Sequence, residues 1–474
     1  MSLQFGPCLA IMVLLSVPLA KAQTGSSDSS QSSSSGSSQS GASESSPQDQ
    51  SANGPQPVFT HPENSPPLSF LGEVTANNYI KLGMGAALAY DTSAFAFSTP
   101  PYSQTQGVFS PSIQLTQTRP KVTWNLAAAT ALITSNAPGY TTTSNPNLQG
   151  SLLYQISQRW QLNVSDTYLY TLDPFQQYTV YMGTPTFNQP NPTTYTPLLT
   201  TQSNSAFVDL TYQISAHDSM TLTGTENFTQ YTNGYNISSL SGLPSLYNWF
   251  AWGGVVEYQH VFSPRLSAGG SYSYSAVDYG HGQSRSGVQT IQGFATYKLN
   301  PHMSLTGWVG PDYTATKNLI PIYCSQFGCY ILTLHNASWS DAFGGNFGWS
   351  GRRDSLVLSV SRSITNGGIL YGIVQLEQVR ASYIRQLTPL WGLNVSALYG
   401  NNNGASTRIH AEHLRSFTGY ASLTRQVTSA LSASVTYAYF NENQENLPGA
   451  SAPKWIDNRF QFMLQYTWGH SLGR

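Results

Sequence analysis

From about residue 79 onward, apolar and small polar residues alternate with a period of two. Leu266, Ala268, Gly270, Tyr272, Tyr274 and Ala276 share one parity; Ser267, Gly269, Ser271, Ser273 and Ser275 share the other. Leu431, Ala433, Val435, Tyr437 and Tyr439 alternate in the same way with Ser432, Ser434, Thr436 and Ala438, and Trp391, Leu393, Val395 and Ala397 with Gly392, Asn394 and Ser396. Trp160, Leu162 and Val164 face away from Gln161, Asn163 and Ser165, and the last such segment sets Phe460, Phe462, Leu464, Tyr466 and Trp468 against Gln461, Met463, Gln465 and Thr467. Successive side chains of a strand point to opposite faces, so the pattern predicts strands with one apolar and one hydrogen-bonding face. Strand centres fall near residues 86, 113, 126, 153, 165, 210, 225, 254, 271, 292, 308, 344, 359, 379, 395, 420, 435 and 462. That count is 18, with 16 as the alternative because the first pair is the weakest.

The connections alternate too. Ser157-Gln158-Arg159, His217-Asp218, Ser263-Pro264-Arg265, Asn300-Pro301-His302, Arg352-Arg353-Asp354, Thr388-Pro389 and Val427-Thr428-Ser429 are short. Thr171–Asn204, Thr316–Ala337, Asn401–His413 and Asn441–Ile456 are long and rich in Asn, Gly, Pro, Thr and Ser. Short turns at one end and long loops at the other describe an all-β, transmembrane, antiparallel up-and-down β-barrel of 16–18 strands, turns toward the periplasm and loops outside. A soluble sandwich or propeller would cover its exterior with charge. Here charge is scarce on both faces, so the apolar face meets lipid and the polar face a wet interior. Trp160, Tyr170, Trp391, Tyr399 and Trp468 near strand ends fit interfacial girdles.

Composition agrees. Of 474 residues 12 % are aromatic and 9 % charged, with a net charge of −1, so there is no basic field to hold nucleic acid. Mean hydropathy is −0.24, and no long apolar run follows the N-terminal one. Residues 1–22 read as a signal peptide, with an apolar stretch ending in Ala20-Lys21-Ala22. Residues 23–57 are Ser-dominated, with Asp28, Glu44 and Asp49 and no base, and are expected to be disordered. Residues 58–78 form a Pro-rich periplasmic lead-in, and 79–474 the barrel. The expected location is the outer membrane of a Gram-negative-type bacterium.

The leader, the alternating strands and the final Phe460–Trp468 segment resemble outer-membrane barrels of the porin type. The resemblance implies a channel, and implies that the aromatic-ended last strand is a signal to the barrel-insertion machinery. Here, unlike the family's usual pattern, Gly469–Arg474 follow the final aromatic. Tyr258–Ser267, with its Phe-Ser-Pro-Arg-Leu-Ser turn, also resembles barrels that accompany exopolysaccharide export systems.

The candidate chemistry is that of a wall rather than a catalyst. There is no Gly-x-Ser-x-Gly elbow and no phosphate-binding glycine loop. His410 and His413 lie at an odd spacing, on opposite faces of a strand, and lack the helical zinc spacing. No enzyme activity, cofactor or metal is expected. Cys324 and Cys329 suit a disulfide stapling a loop tip; a two-thiol metal site is the rival, disfavoured because Ser325–Gly328 supply no further ligand. The expected pore lining includes Asn163, Asp209, Gln213, Thr223, Asn227, Glu257, Gln259, Gln292, Asn394, Ser434 and Gln465. With only Asp209, Glu257 and Lys298 adding charge, this wall suits diffusion or export of small uncharged polar solutes such as saccharides. The alternative is a structural or adhesive surface barrel whose loops bind a partner or matrix. Part of the Thr171–Asn204 loop, around Phe175 to Phe187, is expected to fold inward as a constriction, with Tyr178, Tyr181 and Phe187 stacking on sugar rings; the alternative is an outward loop that only covers the barrel mouth. Oligomeric state is not legible.

Overall fold

A computed structural model describes residues 78–92, 103–136, 142–171, 200–232, 248–280, 284–325, 328–367, 373–404, 413–445 and 454–471. The signal-peptide, Ser-rich and lead-in readings lie outside them, as do Tyr178, Tyr181, Phe187 and His410.

The strands are β1 (Asn78–Asp91), β2 (Gln104–Arg119), β3 (Val122–Ser135), β4 (Thr143–Gln155), β5 (Trp160–Thr171) and β6 (Thr200–Gln213). They continue as β7 (Asp218–Thr232), β8 (Trp249–Ser263), β9 (Leu266–Tyr279), β10 (Ser284–Asn300), β11 (Met303–Ser325) and β12 (Gly328–Ser350). The last six are β13 (Asp354–Asn366), β14 (Ile373–Thr388), β15 (Trp391–Gly404), β16 (His413–Gln426), β17 (Leu431–Glu445) and β18 (Lys454–Ser471). Each pairs antiparallel with its sequence neighbours, and β1 pairs with β18 from Tyr79↔Ser471 to Asp91↔Arg459. The result is one closed sheet of 18 strands, in which Gly328–Ala342 of β12 pair with β11 alone.

The alternation divides the two faces. Leu88, Val309 and Val435 point outward and are 63 %, 65 % and 57 % exposed. Their neighbours Ala89, Trp308 and Ser434 point inward and are buried. The outside is therefore apolar, opposite to a soluble barrel. Outward aromatics gather near the short turns (Tyr154, Trp160, Tyr258, Tyr297, Tyr466, Trp468) and again toward the other end (Tyr90, Trp252, Trp339, Tyr399, Phe417). A few outward positions break the rule. Asn204 donates to Asp166 at 2.6 Å, Glu226 follows two strands along the same row, and Arg362 lies between Asp341 (3.4 Å) and Glu377 (3.7 Å).

The connections differ in detail from their sequence reading. Thr200–Asn204 already belong to β6, so the β5–β6 loop is shorter than the span marked as loop. β11 and β12 stay paired through Thr316–Ala337 as far as Ser325↔Gly328, so that stretch is a long hairpin rather than a loop. Its register sets Cys324 opposite Cys329, whose side chains fall outside the described ones. Gly469–Ser471 still pair with β1, so the residues after the last aromatic extend the strand instead of leaving it.

Candidate functional site: the inward face and its constriction

The inward face is where this sheet can do chemistry. Alternation places Asn163, Asp209, Gln213, Thr223, Asn227, Glu257, Gln259, Gln292, Asn394, Ser434 and Gln465 all on inward positions of their strands. Asp209 accepts from Thr223 Oγ1 at 2.7 Å and from Asn163 Nδ2 at 3.4 Å. Glu257 lies on β8 across from Thr221, so the two carboxylates flank β7. Hydroxyl pairs tie neighbouring strands elsewhere on the wall: Thr211–Thr221 (3.2 Å), Ser286–Thr316 (3.1 Å), Thr296–Thr306 (2.9 Å) and Thr314–Ser338 (2.7 Å). Gln213 has a different job. Its Nε2 donates to the carbonyls of Ser215 (2.7 Å) and Asp218 (3.2 Å), closing a turn at the rim.

This face carries more charge than the sequence alone indicates. Besides Asp209, Glu257 and Lys298, the inward positions hold Asp91, Asp312, Glu442, Asp457, Lys81, Arg380 and Arg459. Among the described residues, six acids against four bases leave −2. Part of that charge is neutralised within the wall. Arg459 Nε lies 3.4 Å from Asp91 Oδ1, Arg459 Nη2 donates to Gln106 Oε1 at 2.8 Å, and Gln104 Nε2 donates to Asp91 Oδ2 at 3.1 Å. All four residues are buried. Strict parity along β1, β2 and β18 puts them on one face, a signal present in the sequence.

No family model and no curated protein matches this chain. Among solved structures, it is similar to Acinetobacter baumannii OccAB4 (10 % identity, 83 % of this chain and 98 % of that one, TM-score 0.42). Similar too are Pseudomonas aeruginosa OpdL (13 %, 83 % and 99 %, 0.41) and the ferric-catecholate import receptor Fiu of E. coli K12 (8 %, 82 % and 81 %, 0.42).

An element that the sequence reading did not single out enters the interior. β13 stays in register with β12 only up to Arg362↔Phe343. Beyond it, the chain turns into the barrel: Ile364, Thr365 and Asn366 are 5 %, 0 % and 0 % exposed, and Ile373, Val374 and Leu376 at the start of β14 are 1–2 % exposed. Ile364 and Ile373 pack in one cluster with Trp249 and Ala251 of β8, Val277 and Tyr279 of β9 and Val288 of β10. Ile364 N–H also donates to Asp312 on the wall at 3.4 Å. The end of the β13–β14 hairpin therefore lies against the β8–β11 wall. Four aliphatic residues, Ile364, Ile373, Val374 and Leu376, give a hairpin end something to bury, which was the available sequence signal.

Proposed function

We propose that this chain is a porin-like channel of a bacterial outer membrane, through which small polar solutes cross between the β13–β14 end and the opposite inward wall. The observation that carries the reading is the inverted closed sheet: an apolar exterior suits hydrocarbon, and closure of β1 on β18 gives every strand a partner on both sides. The hydroxyl and amide groups of Asn163, Thr223, Asn227, Gln259, Gln292 and Asn394 suit uncharged solutes such as saccharides, and the inward excess of carboxylates disfavours anions. Residues 1–22 serve as the leader in this reading, and the aromatic row Phe460–Trp468 of β18 engages the insertion machinery.

A sealed structural barrel is the second reading, favoured by the buried cluster of Trp249, Val277, Ile364 and Ile373 in the interior. Planar-bilayer recording separates the two. Stepwise conductance, with sugar permeation in liposome swelling, supports the channel. A wild-type barrel that is folded and inserted yet silent supports the seal, and conductance gained on replacing residues 364–373 by a short Gly-Ser turn assigns that seal to the cluster.

A further inference from the structure

Among the described residues the exposed cations concentrate at the short-turn end, which holds eight of them, while Arg285, Lys317 and Arg415 lie toward the other end. Arg119, Lys121, Arg159, Arg265, Arg352, Arg353, Arg385 and Arg425 are all exposed and lie in those turns or at the strand ends beside them. The carboxylates of that rim are Asp218 and Asp354, so the eight cations leave a surplus of +6. The whole chain carries −1, which assigns −7 to everything else. Asp218 is already engaged, accepting from Tyr258 Oη at 2.5 Å and Ser215 Oγ at 2.6 Å and lying 2.7 Å from His260 Nδ1. Asp354 sits opposite Arg385 in the register. Among the described residues, none of the eight cations is in an ion pair.

We infer that this rim is a binding collar for the anionic phosphate headgroups of the adjoining membrane leaflet, an inference resting on the membrane-spanning reading above. Direction decides for lipid over the pore mouth. Arg119, Arg385 and Arg425, the three carried on strands, all occupy outward positions, on the same rows as Leu115, Val379 and Leu423. Arg425 holds its guanidinium 5.4 Å from the ring centroid of Trp391, within the turn-side girdle. Long basic side chains lay their stems on apolar surface and present the charge at its polar boundary, where phosphates lie. Lys81 and Lys298, also near this end, point inward and are left out of the collar.

The test reconstitutes the folded chain in phosphatidylcholine bilayers and compares trace spin-labelled phosphatidylglycerol with spin-labelled phosphatidylcholine in the motionally restricted lipid shell. Wild type is expected to favour the anionic probe by about fivefold, the worth of one basic residue at an anionic surface. The preference should shrink as salt is raised. R352Q/R353Q/R385Q/R425Q, shown to be folded by its β-type circular dichroism and heat-modifiable migration, should bring it close to one. Equal association of both probes with wild type, or an unchanged preference in the variant, overturns the collar. So does a variant that shifts only the reversal potential in a salt gradient, since the charges then serve the pore mouth. Absence of a restricted shell for either probe sinks the spanning reading itself, a result distinguishable from all of these.

Discussion

Five of the short turns close on one hydroxyl each. Ser157, Ser215, Ser263, Thr388 and Thr428 each accept from the backbone N–H groups two and three residues on, at 3.0–3.3 Å. Asn300 does the same for His302 N–H at 2.8 Å. In three of these turns a Gln two positions earlier donates its amide to the turn: Gln155 and Gln426 to the carbonyls of Ser157 (2.5 Å) and Thr428 (2.6 Å), and Gln213 to that of Ser215. Side chains that capture local backbone groups fix a turn without help from packing. The repeated Gln-aliphatic-Ser/Thr spacing at 155–157, 213–215, 386–388 and 426–428 is plain in the sequence, yet it recurs too locally to announce itself as a strand signal. Thr388→Ala is expected to cost about 1 kcal/mol, one hydrogen-bonding side chain at an exposed site. Urea unfolding in bilayers checks it, and Thr388→Ser should restore most of the loss.

At the scale of the strand, parity decides what a substitution does. Val435 is 57 % exposed and lies between Leu423 and Phe462, whereas Gln461, in the adjoining row, faces Thr436 and Ala89 on the inward side. Val435→Arg should therefore cost about 2–4 kcal/mol near mid-membrane, while Gln461→Arg should cost much less. Equal losses, measured by refolding into vesicles, would contradict the register. Ser434 is unsuited as the control, since it is only 8 % exposed and has no room for a long side chain. Two inward glycines show how closely the wall packs: a Cβ at Gly344 would fall 2.1 Å from the Trp308 ring, and one at Gly269 would fall 2.6 Å from Phe294. Gly344→Val should displace Trp308, visible as a change in tryptophan fluorescence. Alternation made all of these faces legible in advance, because lipid on one side and water on the other leave parity nothing to compete with. The bend of β13 into the interior was not legible. It depends on Ile364 and Ile373 finding Trp249 and Val277 on the inward wall of β8 and β9, a contact between residues far apart in the chain.

Closure is a property of the whole molecule, and it is secured where the chain's first and last strands meet. The β1–β18 seam carries the buried Arg459–Asp91 pair with Gln104 and Gln106 around it, plus Thr92 Oγ1 donating to Asp457 at 3.3 Å and accepting from Asn458 N–H at 3.0 Å. Removing one partner of a buried ion pair leaves the other charge uncompensated. Arg459→Leu should thus cost about 3–5 kcal/mol, and R459L/D91L should recover much of it. Full loss in the double variant would show that shape rather than charge compensation holds the seam. With both ends of the sheet joined, the orientation of every turn is fixed by any one of them. In a background with Cys324 and Cys329 replaced by Ser, Pro264→Cys samples a short turn and His335→Cys the far end of the β11–β12 hairpin, an exposed outward site. Asn402, although it lies toward the same end, is 0 % exposed and points inward, so it would report burial instead of sidedness. On intact cells an impermeant thiol reagent should label His335→Cys and spare Pro264→Cys, with both labelled once the membrane is broken. Labelling of Pro264→Cys on intact cells would reverse the barrel, and would set the basic collar against the outer leaflet.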